Sequence, residues 1–319
     1  MMRLADTPEL RSAPAMTQST FAHGPATLRL GDLEVARIGF GAMRLPGPEV
    51  WGEPENPAHV KDVLRRVVSL GINLIDTAWF YGPLVANRLI AETLHPYPKD
   101  LVIATKLGGK RLPDKGWGFH GRPEDLREGC ETDLRTLKRD VLDVVHFRYM
   151  GAHSPVSFIE SLDALIALKN EGKIRHLALS NVGVKELDIA RLRTPIVAVQ
   201  NLFSVAGGGG ALAKATHSEV ESPELVLDAC ASHGIAFLPY FPLAVGALAK
   251  PGSALSAAAE RHRATPAQIA LAWLLARSPV MLPIPGTSRQ EHLEQNWAAR
   301  SIELTEDEVK SIAAAARAG

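Results

Sequence analysis

The strongest constraint on the fold of this chain is a repeated alternation between short apolar runs and longer amphipathic segments. Several of the short runs are apolar almost throughout, as expected for parallel strands that are covered on both faces. The eight runs occupy residues 35–41, 72–78, 101–106, 141–147, 174–180, 196–201, 235–241 and 280–285. Eight strands that alternate with helices predict an α/β fold of the (β/α)8 TIM-barrel type.

A doubly wound sheet is the alternative architecture for such an alternation. A sheet of that kind normally carries a GxGxxG phosphate loop after its first strand, and the segment GFGAMRLPG does not match this pattern. Ahead of the barrel, two alternating runs flank Gly31-Asp32, which is a tight-turn pair, so we expect an N-terminal β-hairpin. We expect residues 1–22 to be a flexible tail and residues 23–319 to form a single barrel domain.

Charge and composition narrow the class of function. The 35 basic and 35 acidic side chains give a formal net charge of zero, which argues against a nucleic-acid partner. No apolar run reaches the ~20 residues of a membrane span, and the first residues lack the apolar segment of a secretory signal. The histidines and the two cysteines show no metal-ligand spacing. We therefore expect a cytoplasmic protein that binds a small molecule and no metal; the sequence does not define its oligomeric state.

Three side chains at or soon after the ends of predicted strands are candidates for the chemistry. Asp76 closes the second strand, Tyr81 follows on the loop, and Lys106 ends the third strand. A lysine in an apolar strand is costly unless it is paired. Beside Asp76 it would stay cationic and lower the pKa of a neighbouring Tyr81, which would then act as a general acid. The alternative is a buried structural Asp–Lys pair with a tyrosine at the rim.

The motifs IDTAWFYG, IATK, LALSN, VQN and PIPGTSR with HLEQN occur in this order and resemble the aldo-keto reductase family over residues 26–315. The resemblance implies NADPH-dependent reduction of an aldehyde or ketone. It also implies that Asp76, Tyr81 and Lys106 are the catalytic residues and that Tyr81 donates the proton.

The resemblance further implies which residues bind NADPH. Ser180, Asn181 and Gln200 would bind the carboxamide of the nicotinamide, and Tyr240 would stack on its ring; the alternatives are helix capping and packing. The other implied contacts are Gly41, Ala42 and Met43 at the nicotinamide end, Phe241, Leu243 and Val245 at the pyrophosphate, Gly286, Thr287, Ser288 and Arg289 at the 2′-phosphate, and Gln295 and Asn296 at the adenine. The GTSR turn before a helix suits a dianionic phosphate and favours NADPH over NADH.

One position departs from the family pattern. The family usually has a histidine at the end of the fourth strand, where this chain has Arg148. His146 stands two residues earlier, so strand alternation places it on the same face and deeper in the barrel. Arg148 would polarise the carbonyl oxygen or hold a substrate carboxylate. His146 is either a core histidine or, if a strand bulge shifts the register, a second candidate for the catalytic role.

The remaining expectations concern the barrel mouth. Loops rich in aromatic residues would build an apolar substrate pocket or anchor the loops, and their aromatic residues are Trp51, Trp79, Trp117 and Phe119. The glycine run Gly207–Gly210 is either a cofactor flap or a linker. Two other functions are weighed against the reductase. One is an NADPH-binding regulatory barrel with little turnover. The other is a metal-assisted hydrolase, which is less favoured because the sequence has no cluster of metal ligands.

Overall fold

The computed structural model describes residues 25–209, 213, 214, 220, 222–243 and 255–318. The predicted tail, Val245 and Gly210 lie outside these residues. The chain begins with the predicted antiparallel hairpin of β1 (Thr27–Leu30) and β2 (Leu33–Ala36), whose turn contains Gly31 at a φ of 67°. The predicted first strand over 35–41 is thus divided, because residues 35 and 36 pair within the hairpin.

Seven strands pair side by side in parallel and curl into the predicted barrel. They are β3 (Phe40–Gly41), β4 (Leu74–Asp76), β5 (Val102–Arg111), β7 (Leu142–Arg148), β8 (Ile174–Ser180), β9 (Ile196–Leu202) and β10 (Ala236–Tyr240). The remaining strand, β6 (Trp117–His120), pairs antiparallel with the extended end of β5. The sequence prediction ended the third strand at Lys106 and placed Trp117 and Phe119 in a loop; the structure instead forms a β-hairpin there.

Residues 281–285 close the barrel between β10 and β3. The backbone N–H of Leu282 donates to the carbonyl of Phe237 at 2.9 Å, and that of Gly39 donates to the carbonyl of Pro283 at 2.9 Å. Pro283 and Pro285 have no N–H to donate, so this eighth segment cannot form a complete ladder. The predicted eighth strand is therefore present as a closing segment with a single bridge between Met281 and Phe237.

Helices surround the strands. They are α1 (Pro57–Ser69), α2 (Val85–Leu94), α3 (Pro123–Thr136), α4 (Phe158–Asn170), α5 (Val184–Arg191), α6 (Pro223–His233), α7 (Ser256–His262), α8 (Pro266–Arg277), α9 (Gln290–Ala298) and α10 (Glu306–Ala318). Asn56 caps α1 and Thr265 caps α8, and each side chain accepts a backbone N–H of the first helical turn. α4 begins at Phe158, and its cap Ser157 accepts the backbone N–H of Glu160. Among the described residues no helix has both the length and the apolarity to span a membrane.

The barrel interior is filled differently from the layer outside it. Large side chains such as Phe147, Phe203 and Phe237 pack between the strands and the helices. Inside the barrel, the hairpin residues Leu30 and Val35 close the bottom by packing against small strand residues. These small residues are Ala104, Ala178, Ala198 and Ala236. Because alternate residues of a strand share a face, the residues two positions further along these strands point to the barrel mouth. They include Lys106, Ser180 and Gln200.

Candidate active site

A cavity of about 550 Å³ opens at the C-terminal ends of the strands. At its deep end it is lined by Asp76, Tyr81, Lys106, Arg148 and Gln200. Other residues singled out from the sequence line the rest of it; these are Gly41, Met43, Trp117, Tyr240, Phe241, Leu243, Gly286, Thr287, Gln295 and Asn296. The fold thus brings residues that are far apart in the sequence to one cavity, at the end of the barrel where strand-end chemistry is expected.

Asp76 at the end of β4 and Lys106 within β5 form a buried ion pair. The Lys106 Nζ donates to the Asp76 Oδ2 at 2.5 Å and to the carbonyl of Thr77 at 2.9 Å, and both side chains are only 4% exposed. Gln200 donates its amide to the other carboxylate oxygen, Asp76 Oδ1, at 2.9 Å. The lysine is therefore held as a cation in a fixed direction, with its charge balanced inside the protein.

Tyr81 is presented to this pair by a tight turn between β4 and α2. The Tyr81 N–H donates to the carbonyl of Ala78 at 2.9 Å, and Gly82 follows at a φ of 83°. A side chain at position 82 would be strained in this conformation and would meet Pro46 and Val85 at 2.7 Å, which explains the glycine of the motif. The Lys106 Nζ lies 5.1 Å from the centre of the Tyr81 ring.

The pKa of Tyr81 differs from the expectation. Burial raises the pKa of Tyr81 above its ordinary value, and the positive charges of Lys106 and Arg148 offset only part of this effect. The expected lowering by Lys106 exists, but the loss of solvation outweighs it. Burial alone would lower the pKa of Lys106, yet Asp76 and Tyr81 together raise it. At neutral pH the site therefore holds a protonated phenol beside an ammonium group.

Arg148 and His146 lie on the same face of β7, as strand alternation predicts. Arg148 lines the cavity with its guanidinium 5.7 Å from the centre of the Trp117 ring. His146 pairs in register with Lys106 one layer deeper and is fully buried. The pairing of β7 with β5 and β8 shows no register shift, so no bulge brings His146 up to the cavity.

His146 is a neutral core histidine. Its Nδ1 lies 3.3 Å from the carbonyl of Leu179, which can only accept, so Nδ1 carries the hydrogen and Nε2 is left without a partner. Burial lowers the pKa of His146 to about 4. A neutral imidazole does not compete with Lys106 for the Asp76 carboxylate.

We expect the burial of His146 to make folding sensitive to acid. The unfolded chain binds this proton below a pH of ~6.5 and the folded protein only below about 4, so the stabilising contribution is complete above pH 6.5 and is lost as the pH falls toward 4. The difference corresponds to roughly 3 kcal/mol. Urea unfolding at pH 7 and pH 4.5 checks it. Asp133, whose pKa burial raises to about 7, titrates in the same range with the opposite sign, so the effect of His146 is measured as a difference from wild type. His146→Asn should gain stability relative to wild type between pH 7 and pH 4.5, while the exposed His59→Asn control should follow wild type; equal behaviour of both variants would contradict the assignment.

Ser180 and Asn181 end β8 with polar atoms that have no partner. The Ser180 Oγ and the Asn181 Nδ2 are buried without a hydrogen bond, whereas the Asn181 Oδ1 accepts from the Tyr240 hydroxyl at 2.7 Å. Helix capping, the alternative explanation, does not apply because α5 begins later, with Gly183 as its N-cap. Buried polar groups are normally satisfied, so these atoms fit a bound ligand that supplies the missing donors and acceptors, such as an amide.

The other end of the cavity is polar and lies at the start of α9. Thr287, Gln295 and Asn296 line it, and the Thr287 Oγ1 accepts the N–H of Arg289 at 3.0 Å. Arg289 is exposed and pairs with Glu291 at 3.1 Å. Five of the described cofactor contacts predicted from the sequence are not part of the cavity lining; these are Ala42, Ser180, Asn181, Ser288 and Arg289.

Gly41 and Gly286 face each other where the barrel closes. A Cβ at Gly41 would lie 2.6 Å from the Ile284 carbonyl oxygen, and one at Gly286 would lie 2.6 Å from the Gly41 carbonyl oxygen. Both distances are too short for any side chain without backbone movement. The two glycines therefore allow the closing segment to approach β3 beside the cavity.

We expect Gly41→Ala to lower the free energy of unfolding by ~1–3 kcal/mol through overpacking, and to weaken NADPH binding because the shifted backbone lines the cavity. Denaturant unfolding and fluorescence titration with NADPH measure the two effects. Gly209→Ala is the matched control, since a Cβ there would meet nothing within 4 Å. An unaltered Gly41→Ala variant would contradict the close approach.

Of the four aromatic residues predicted for the substrate pocket, only Trp117 lines the cavity. Trp79 packs against Phe80 and His120 instead, with ring centres 5.9 and 5.2 Å away. Two others lie against arginines outside the lining: Trp51 stacks with Arg111, and Phe119 with Arg122. The direction of each aromatic side chain depends on the local turn, which a position near the barrel mouth does not reveal.

The cavity also contains residues that the sequence reasoning missed. Phe80 lines it in place of its neighbour Trp79, and Arg44 and the start of α8 (residues 265–267) contribute to it. The glycine run was expected to be a flap or a linker; its described part is a tight turn after β9 in which Ser204 and Gly207 exchange two backbone hydrogen bonds.

Comparison with known proteins agrees with the geometry. The sequence profile of the "Aldo/keto reductase family" matches residues 37–317 of this chain. A pyridoxine 4-dehydrogenase of Escherichia coli is 41% identical over 290 residues, which is 90% of this chain and 96% of that protein. An uncharacterized oxidoreductase of Schizosaccharomyces pombe is 40% identical over 296 residues, or 93% of this chain and 92% of that protein.

Solved structures show the same fold. A thermostable aldo-keto reductase in complex with the inhibitor epalrestat is 27% identical with a TM-score of 0.75, and the match covers 91% of this chain and 99% of that one. An aldo/keto reductase from Klebsiella pneumoniae in complex with NADP and acetate is 25% identical with a TM-score of 0.71, over 90% of this chain and 94% of that one.

Proposed function

The chain belongs to the aldo/keto reductase family, and on this premise we propose that it reduces an aldehyde or ketone to the alcohol, with the proton coming from Tyr81. The enzyme class and the cofactor expected from the sequence are confirmed: it is an NADP-dependent oxidoreductase of this family. The observation that carries the proposed proton donor is the buried Asp76–Lys106 pair, with its ammonium group 5.1 Å from the Tyr81 ring.

The residues around the cavity fit NADPH. The unpartnered atoms of Ser180 and Asn181, together with Gln200, would bind the nicotinamide carboxamide. Tyr240, anchored through its hydroxyl to Asn181, would present its ring to the nicotinamide. The other end, at Thr287, would hold the 2′-phosphate at the start of α9. When bound there, NADPH supplies the hydride.

The protein's own residues handle the proton. Because burial keeps the pKa of Tyr81 high, the phenol is protonated and available at neutral pH. When Tyr81 gives its proton to the carbonyl oxygen, the phenolate that forms is stabilised by the nearby Lys106 cation. Asp76 and Gln200 hold that cation in place, so the positive charge is oriented before the reaction begins.

We propose that Arg148 holds the carbonyl oxygen or an acidic group of the substrate. An arginine remains charged near neutrality, so it can polarise the oxygen without supplying a proton. The rings of Phe80, Tyr81 and Trp117 line the same cavity, and the Arg148 guanidinium lies 5.7 Å from the centre of the Trp117 ring. Flat aromatic aldehydes suit this combination of rings and one cation, and the relative named pyridoxine 4-dehydrogenase makes pyridoxal the first compound to test.

We expect Arg148→Leu to lower kcat/KM for the carbonyl substrate by about 10- to 100-fold, the effect of losing one charge-assisted hydrogen bond. The dissociation constant of NADPH should change little. Steady-state kinetics with Arg148→Lys as the matched variant, which keeps the charge without the planar fork, distinguishes charge from geometry. A selective loss of NADPH affinity would instead assign Arg148 to the cofactor.

The decisive experiment combines binding with turnover. Purified protein should quench NADPH fluorescence, and should oxidise NADPH when pyridoxal and a panel of aromatic and aliphatic aldehydes are added. Binding of NADPH without turnover of any carbonyl would favour a regulatory barrel. Absence of binding would contradict both functions.

A further inference from the structure

Behind the catalytic strands lies a group of buried polar side chains that the mechanism does not use. They are Thr77 after β4, Asn87 on α2, Thr105 on β5 and Asp133 on α3, and each is 0% exposed. We call them the rear network. We propose that the rear network positions Asp76 relative to Lys106, and so sets the place of the Lys106 cation beside Tyr81. The proposal rests on the proton transfer from Tyr81 described above.

The rear network is a continuous chain of hydrogen bonds. The Thr77 hydroxyl donates to the Asn87 Oδ1 at 2.9 Å, and the Asn87 amide donates to the Asp133 Oδ1 at 2.6 Å. The Thr105 hydroxyl donates to the other oxygen, Asp133 Oδ2, at 2.8 Å. A single carboxylate on α3 therefore links two neighbouring strands, directly at Thr105 on β5 and through Asn87 at Thr77, which follows β4.

Each strand contact is adjacent in the chain to a catalytic residue. Thr77 follows Asp76, and Thr105 precedes Lys106. Successive strand residues point to opposite faces, so the ion pair faces the cavity while both threonines face the helices. The two sets meet at Thr77, whose carbonyl accepts from the Lys106 Nζ at 2.9 Å while its hydroxyl donates into the rear network. A shift of Thr77 or Thr105 therefore moves one partner of the ion pair.

The cost of the rear network argues for a specific role. Elsewhere α2 and α3 pack on the barrel through apolar residues such as Leu89, Ile90 and Leu126. Removing several polar side chains from water is unfavourable even when they are hydrogen-bonded, and apolar residues of similar volume often give equal or greater stability. Burial raises the pKa of Asp133 to about 7, although the hydrogen bonds from Thr105 and Asn87 and the charge of Lys106 oppose the rise. Directional hydrogen bonds fix the distance between β4 and β5 more tightly than apolar packing does.

The test removes one hydrogen bond with the least change in shape. In Thr105→Val the hydroxyl that binds Asp133 is lost, whereas the matched control Thr105→Ser keeps it. We expect Thr105→Val to lower kcat at least tenfold, with KM for the carbonyl and the dissociation constant of NADPH within twofold of wild type. Thr105→Ser should recover most of kcat. Activities are expressed per NADPH-binding site, so misfolded protein does not count.

The isotope effect separates positioning from a general loss of structure. With NADPH deuterated at the transferred hydrogen, the kinetic isotope effect on kcat should be larger in Thr105→Val than in wild type, because the chemical step becomes more rate-limiting. A smaller fraction of intact enzyme would leave the isotope effect unchanged. Asp133→Asn and Asp133→Ala form a second pair. The amide oxygen of Asn can accept from Asn87 and its N–H can donate to the Thr105 hydroxyl oxygen, so only Asp133→Ala should lose kcat strongly.

Two results would overturn the proposal. One is a wild-type kcat per NADPH-binding site in both Thr105→Val and Asp133→Ala. The other is a fall in kcat with an unchanged isotope effect. Failure of the proposed function appears differently, as a wild-type protein that reduces no carbonyl or as full activity of a Tyr81→Phe variant.

Discussion

Replacing Tyr81 with Phe is expected to abolish carbonyl reduction and leave NADPH binding nearly intact. The substitution removes one hydroxyl from a ring that is otherwise buried, and with it the proton that neutralises the developing alkoxide. General acid catalysis contributes ~10²–10⁴ in rate, so kcat should fall at least about 100-fold. Stopped assays at high enzyme concentration measure the residual rate, and fluorescence titration measures the affinity for NADPH.

Tyr97→Phe is the matched control for this prediction. Tyr97 also loses a hydroxyl hydrogen bond, in its case to the carbonyl of Leu137 at 2.7 Å, but it lies outside the cavity lining. We expect it to retain wild-type kcat. If Tyr81→Phe keeps more than a tenth of the wild-type kcat, Tyr81 is not the proton donor. An equal loss in both variants would indicate a structural effect.

The second large effect is expected for Lys106→Met, which should damage both stability and catalysis. The change leaves the Asp76 carboxylate and the Thr77 carbonyl buried without the ammonium group that they share. Breaking a buried ion pair at one partner costs about 3–5 kcal/mol, a large fraction of the 5–15 kcal/mol that stabilises a typical domain. Catalysis should fall as well, because the phenolate of Tyr81 loses its stabilising cation. Urea unfolding and single-turnover rates measure the two losses.

The double variant Asp76→Asn, Lys106→Met separates the two effects. Without the lysine, a neutral amide at position 76 is far less costly to bury than a carboxylate, so most of the lost stability should return while the rate stays low. Arg88→Met serves as a surface control, since the exposed Arg88–Glu53 pair should contribute no more than about 1 kcal/mol. A double variant as unstable as Lys106→Met would show that the buried charge is not the cause.

The sequence predicted the parts of the fold that depend on local pattern. Strand length, apolar content and the Gly31-Asp32 turn indicated the barrel and the hairpin. Strand alternation also placed His146 below Arg148. Patterns of this kind depend only on residues that are neighbours in the sequence. Contacts between distant segments therefore do not change them. The family motifs identified the residues that line the cavity. Local sequence patterns did not indicate that these residues lie close together in space.

Other features were set by packing between distant segments. The direction of the Trp79 side chain and the extension of β5 to Arg111 depend on how the hairpin with β6 packs over the mouth. The rear network joins Asp133 to residues of two earlier strands, and no spacing in the sequence links them.

The sequence by itself thus determined the order of the strands, the hairpin and the position of Asp76 at the end of its strand, because side-chain alternation and turn geometry are local properties. The tertiary structure alone decided the pKa of Tyr81. The sequence argument considered the charge of Lys106, which lowers the pKa, whereas burial raises it by a larger amount. Burial is the sum of contacts from many elements around the cavity, so its effect on Tyr81 exists only once the barrel has closed around the side chain.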